Sequence, residues 1–590
     1  MKAQFLFFTL LTFAVLTGCG DSQDSADSNV AELRSDELKA QQEPTQTSPA
    51  VKRDFKEASE PIRLYTNAQI YTVSAQSPTV EAFATQNGKF LATGTLKQLK
   101  SAYPLASEIN LNGSTVIPGF IDAHGHLLGL GQSLLNADLM GTKNKAEIIE
   151  RLKAKEKELA DGQWLLGRGW DQNDWPNKAL PSKSDLDEAF PTRPVWLERV
   201  DGHAGWANSA ALAYVKKNLD GDWQIDGGEI LRDDDEKATG VFIDNAASLV
   251  ESKVPSSTDV ELTAALEKAM TKTAQVGLTS MHDAGTSLKT WQLLESLNDQ
   301  EKLKIRVYSM ANGANDMLDH LCESGVQVDP RAMLTARSIK LYSDGALGSR
   351  GAALIEDYSD AAGNRGLLIE SEETLTQHAN RAAGCGLQIN IHAIGDRGNR
   401  VTLNVLEAAT QNESAPGRHR IEHSQVIAPE DFDRFKKLQL VASVQPTHAT
   451  SDMYWAEERV GSERIKGAYA WQKFIELGIP LALGSDFPVE KPDPLHGFYA
   501  AVSRKDHAGW PEKGWYSTQT LSREQALYGF TLGAAYAAFQ EKQLGSIETG
   551  KYADFTVLSQ DIMKVAEADI LSTKIMATYI NGKNVFSTPN

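Results

Sequence analysis

The feature that most restricts the fold of this chain is a strand-then-helix alternation repeated through its middle. Short apolar segments at Val116–His126, Leu278–Asp283, Ile305–Met310, Ser338–Ser343, Leu387–His392, Arg420–His423, Leu440–Val444 and Leu481–Asp486 read as strands. Amphipathic stretches such as Leu375–Ala383 and Arg400–Ala409 read as helices between them. Eight such units are what a (β/α)8 barrel requires, and open parallel sheets seldom need so many. The expected fold class is therefore α/β, with the barrel over residues 116–540. One connection breaks the rhythm. About 150 residues separate the first two strands, far more than a βα crossover uses, which implies an inserted subdomain at about 127–270. That insertion is rich in tryptophan (Trp164, Trp170, Trp175, Trp196, Trp206 and Trp223).

The flanks have a different texture. Arg63–Val73 and Ala82–Ala92 read as short strands, with Asn87-Gly88 marking a hairpin turn because both residues tolerate positive φ. Ala553–Leu558 and Ala577–Lys583 mirror them at the other end. One small β-sandwich assembled from residues 61–115 and 541–590 is expected, two unrelated hairpins being the alternative. Ahead of these, Lys2 and the apolar run Phe5–Leu16 form a short targeting segment that ends in Leu16-Thr17-Gly18-Cys19. This end resembles a bacterial lipobox. It implies a signal peptide over residues 1–18, lipidation of Cys19 and a place in the cell envelope, with Gly20 leaning towards an outer membrane where two membranes exist. Residues 19–60, polar and nearly free of aromatics, read as a flexible tether. No later segment is long and apolar enough to span a bilayer.

A formal net charge of −19 argues against nucleic acid as a partner, since phosphate binding needs clustered Lys and Arg. Of three cysteines, Cys19 lies in the targeting segment; Cys322 and Cys385 are expected as two buried free thiols, a bridge between them being the one alternative.

The strongest chemical signal is Pro118-Gly-Phe-Ile-Asp-Ala-His-Gly-His126. Side chains at i and i+2 on a strand share a face, so His124 and His126 project together, and two imidazoles aimed at one point make half a metal site. His392 and His423 each end a predicted strand, and Asp486 adds a carboxylate at the last one. Four histidines and an aspartate at successive strand ends are hard to explain without a metal, at the barrel end where catalytic groups gather. Lys340, on a barrel strand, must be desolvated; it then loses its charge or pairs with a buried acid such as Asp344.

Taken together, these motifs resemble the amidohydrolase superfamily. Arg199–His203, Gly227–Asp233, Gly277–Asp283, Lys340–Gly348 and His392–Asp396 look like its YtcJ-like branch, which contains N-substituted formamide deformylases. The resemblance covers about residues 61–585. It implies a metal-dependent hydrolase of a small-molecule amide-type C–N bond, holding one or two divalent ions, with zinc as the expected metal. His124 and His126 would hold one ion and His392 and His423 the other. Lys340 would be a carboxylated bridge, and Asp486 the last ligand and proton shuttle. His203 would face the substrate, or else make an orienting contact inside the insertion. His282 is expected as support behind the ligands and, with Trp170, as a candidate for the substrate pocket. Two other readings stay open: hydrolysis of an ester, lactone or cyclic ureide at the same site, and a surface-anchored binding lipoprotein without chemistry.

Overall fold

The computed structural model describes residues 60–589, apart from 201, 203, 226, 227 and 413. Its centre is a parallel sheet whose strand order follows the chain. The strands are β1 (Phe120–Gly125), β2 (Leu278–Thr286), β3 (Arg306–Asn312), β4 (Leu334–Tyr342), β5 (Gln388–Ala393), β6 (Arg420–His423), β7 (Val441–Val444) and β8 (Leu481–Leu483). Alternation sorts their faces. Ile339, Leu341, Ile389, Ile391 and Ile421 pack outward in the main apolar core, which leaves Lys340, His392 and Glu422 facing in. The sheet curls until β1 meets β8 and is nearly closed. At that seam one bridge joins Gly125 to Phe487, with His126 N–H donating to the Phe487 carbonyl and Asp486 N–H to that of His124, both at 2.7 Å.

The expected first strand divides in two. Ser107–Pro118 pairs in the sheet made by the chain ends, and only Phe120–Gly125 enters the barrel. Gly119 marks the crossing, where a Cβ would lie 2.1 Å from Thr279 Oγ1, so no larger residue passes β2 there. The chain ends form one continuous eight-stranded sheet, in which Phe555–Leu558 runs antiparallel to Thr115–Pro118. Tyr65, Phe83, Phe90 and Phe555 fill its core. The turn at Asn87-Gly88 has φ of 50° and 75°, as the hairpin reading requires. Arg306 on β3 ties this sheet to the barrel, donating to Asp554 Oδ2 at 2.5 Å and Asn581 Oδ1 at 2.6 Å.

The insertion is a six-stranded sheet running from Ala137–Asp138 to Ala238–Asp244, packed around Trp170, Trp175 and Trp206. Its limits are narrower than expected. Helices Leu127–Leu135 and Asp259–Gln275 belong to the barrel wall, contributing Leu130, Leu266 and Met270 to the main core. They approach closely, since a Cβ on Gly131 would sit 2.1 Å from the Ala265 carbonyl oxygen. Among the described residues, no helix is long and apolar enough to cross a membrane.

One expectation is corrected. Cys322 and Cys385 are not free thiols but a disulfide, joining helix Asp316–Ser324 to the end of helix Glu372–Gly384. The barrel sets these helices side by side and brings the two Cα atoms to 5.0 Å, a proximity that a sequence separation of 63 hides. A loop of that length predicts that replacing both cysteines with serine lowers stability by about 2–4 kcal/mol, read from urea unfolding. Reductant should shift the midpoint of the native chain but not of the double variant.

Candidate metal centre

Three different backbone devices bring the polar side chains to the barrel mouth. On β4 and β5 plain alternation delivers Lys340 and His392. On β1 an extra residue interrupts it: Met281 pairs with Asp122 but Asp283 with Gly125, so that Ala123 and His124 face His282 alone. Such bulges re-aim a side chain, and His124 ends fully buried inside. On β6, Glu422 already points inward, so His423 would face out in a regular strand; instead it takes φ +70° and turns in as well. Asp486, past the end of β8, has φ +62°. Left-handed conformations at non-glycine residues cost about 1–3 kcal/mol each and persist where the surroundings overdetermine them.

These devices converge. One ligand atom each from His124, His423 and Asp486 lies within 4.8 Å of the others, all three residues being buried. His126, which caps the helix after β1, places Nε2 3.0 Å from Asp486 Oδ1, and His124 Nε2 lies 3.6 Å from the same oxygen. Lys340 Nζ is 3.2 Å from His124 Nε2. The His392 ring stands 4.5 Å from that of His423, and its buried Nε2 has no hydrogen-bond partner. Asp344 does not pair with Lys340. Its carboxylate is occupied by the backbone N–H groups of Ala353, Ile394 and Gly395 at 2.8–3.0 Å.

Behind these side chains stands a second layer. His124 Nδ1 donates to Glu422 Oε2 at 2.5 Å, and His423 Nδ1 to Gln445 Oε1 at 2.8 Å, so in both rings Nε2 is left to face the centre. Arg420 grips Glu422 and also donates to His282 Nδ1 at 2.9 Å and the Ala123 carbonyl at 2.6 Å. Asp122 accepts from Ser485 Oγ at 2.6 Å and from two backbone N–H groups, locking the β1–β8 seam.

Electrostatics fit a cation. Burial pushes the imidazoles of His124 to about 4 and His392 to about 3, and His423 well below its usual range, so neutral nitrogens are presented. Burial also lowers the Lys340 amine to about 8. Burial alone would raise Asp486, but the facing histidines outweigh it and hold the carboxylate well below its ordinary value. Neutral imidazoles around an ionised oxygen, with an orphaned buried Nε2 beside them, are a donor set suited to a divalent metal.

His282 lies behind the centre, reaching it through Arg420. Trp170 sits instead in the insertion's core, fully buried with its indole N–H on the Leu197 carbonyl, which places it by packing. His203 and Cys19 fall outside the described residues. Sequence reasoning missed Glu422, although alternation within Arg420-Ile421-Glu422 carried its signal. It also missed Gln445 and His448, which follow β7 and belong to no strand-end pattern. Because Glu422 orients His124, Glu422→Gln should weaken metal affinity about 10–100-fold in a competition titration with a chromophoric chelator. Unchanged affinity would remove Glu422 from that role.

Residues 107–586 match the amidohydrolase family. YtcJ of Bacillus subtilis (strain 168) is 34% identical over 88% of this chain and 98% of its own length. The N-substituted formamide deformylase of Arthrobacter pascens is 27% identical over 88% of this chain and 96% of its own. Among solved structures, an uncharacterized metal-dependent hydrolase from Pyrococcus horikoshii OT3 superposes with a TM-score of 0.72 at 29% identity, covering 86% of this chain and 99% of that one. A match over this much of the chain, on a nearly closed barrel with converging histidines and aspartate, shows that the protein belongs to the amidohydrolase family, alongside YtcJ.

Proposed function

We propose that this chain is a metal-dependent hydrolase that cleaves a non-peptide, amide-type C–N bond of a small molecule. The observation that carries the reading is the buried convergence of His124, His423 and Asp486 at the barrel mouth. A similar protein named for deformylating N-substituted formamides supports the bond type. His124 and His126 would hold one ion and His392 and His423 a second, with Lys340, desolvated between them, as the carboxylated bridge. When bound, a divalent ion, zinc on this reading, would make water acidic near neutral pH and polarise the scissile carbonyl.

The remaining work falls to the chain. Asp486 takes a proton from the attacking water and passes it to the departing nitrogen, a transfer for which its carboxylate, ionised and buried, is suited. Glu422 and Gln445 hold the His124 and His423 rings so that no reorientation accompanies the reaction. His203, in the insertion, is proposed as a substrate contact. Lipidation of Cys19 would hold the enzyme in the bacterial envelope, and the Cys322–Cys385 disulfide, a bond of oxidising compartments, supports that location.

Two measurements test the reading. Dialysis against a chelator should abolish hydrolysis of N-substituted formamides, and added zinc should restore it. Asp486→Asn should keep its metal, measured by plasma emission, while turnover falls about 100-fold or more. Turnover at the native rate in the metal-loaded variant would remove Asp486 from the shuttle.

A further inference from the structure

We infer that His448 grips the leaving nitrogen together with Asp486, and that this restricts the enzyme to amides that carry an N–H. The inference rests on the amide-hydrolase reading above and concerns a residue that neither the metal set nor its supports include.

The geometry is specific. Of the two Asp486 oxygens, Oδ1 faces His126 at 3.0 Å and His124 at 3.6 Å, which leaves Oδ2 for substrate. His448 Nε2 stands 3.8 Å from that Oδ2 and has no hydrogen-bond partner, although the atom is buried. That separation exceeds a direct hydrogen bond, yet one atom placed between them can lie about 2.9 Å from both. The His448 side chain as a whole keeps 14% of its surface exposed.

The ring is also held still. It stacks on His423 at 5.9 Å and 13°. Its short helix, Pro446–Asp452, is pinned at the far end, where Tyr469 donates to Asp452 Oδ2 at 2.7 Å and Ser451 donates to Glu490 Oε1 at 2.7 Å. Gln445, which precedes the helix, holds His423. One element therefore steadies a ligand and presents a partnerless nitrogen beside the carboxylate that shuttles the proton.

The chemistry follows from that placement. Water adds its oxygen to the carbonyl carbon, and one of its protons passes to Asp486. As the C–N bond breaks, its electron pair ends on nitrogen, which takes that proton from Asp486 Oδ2, releasing an amine and a carboxylic acid. A substrate N–H donated to His448 Nε2 turns the nitrogen so that its lone pair points at Asp486. This needs the tautomer with the His448 proton on Nδ1. An N,N-disubstituted amide or an ester offers no such hydrogen.

The test uses the full chain, loaded with zinc, and three probes: N-butylformamide, N-butyl-N-methylformamide and butyl formate. The native enzyme should prefer the first amide over its N-methyl analogue. His448→Ala should keep its metal content and lose about 100-fold in kcat on N-butylformamide. Its preference for that substrate over the other two should shrink. His448→Gln, whose amide oxygen can accept the same N–H, should recover part of the preference; if the alanine variant does not fold, the glutamine variant decides by the same ratios. An equal fall on all three probes, or no fall, would overturn the assignment while leaving hydrolysis in place. A native chain that holds metal and is inert to all three would overturn the amide-hydrolase reading and this assignment with it.

Discussion

A carboxylate with no access to water sits inside the barrel, and the centre is organised around it. Glu422 accepts a hydrogen bond from His124 Nδ1–H and pairs with the guanidinium of Arg420, joining β1 to β6 across the barrel. Burial opposes its ionisation, but Arg420 and His124 outweigh that and hold it well below the usual carboxylate range. Buried charges of this kind add little net stability once desolvation is counted, whereas removing one partner strands the other. What the arrangement supplies is direction: His124 has one tautomer and one orientation, and so does the chain of contacts through Arg420 to His282, Ser443 and the Ala123 carbonyl.

The same logic explains why strain collects at the mouth. Regular strands can send only every second residue inward, and the centre needs neighbours: Glu422 with His423 on β6, and His124 beyond an irregular stretch of β1. A bulge and left-handed residues solve that problem locally. The apolar shell outside the strands, with Ile339, Ile389, Ile391 and Ile421 fully buried, is the rigid frame that holds these unfavourable conformations in place. The Asp122–Ser485 contacts do the same for the seam, where the strands barely pair.

Much of this was legible in the residues. The eight strand segments and the inward face of β4 and β5 follow from periodicities of 2 and 3.6, the hairpin at Asn87-Gly88 from residues that tolerate positive φ, and the break between the first two strands from its length; all are local properties. Lys340 and His392 stand on plain alternation and could be placed from sequence. The strand limits were less secure. Val116–Pro118 continues the apolar run of β1 yet pairs with the C-terminal strand, and β8 stops three residues short of Asp486. Hydrogen-bond partners decide such boundaries, and partners are not written in a local pattern.

The sequence by itself determined the α/β class, the family, and the residue types that could surround a cation, because apolar spacing and side-chain chemistry are carried by each segment alone. Only the tertiary structure decided that Cys322 meets Cys385, that Glu422 and Gln445 aim two of the imidazoles, and that His448 faces the free oxygen of Asp486. Each of these depends on segments far apart in the chain arriving at one point. That arrival is set by barrel closure and by backbone departures from regular geometry, which no single segment encodes.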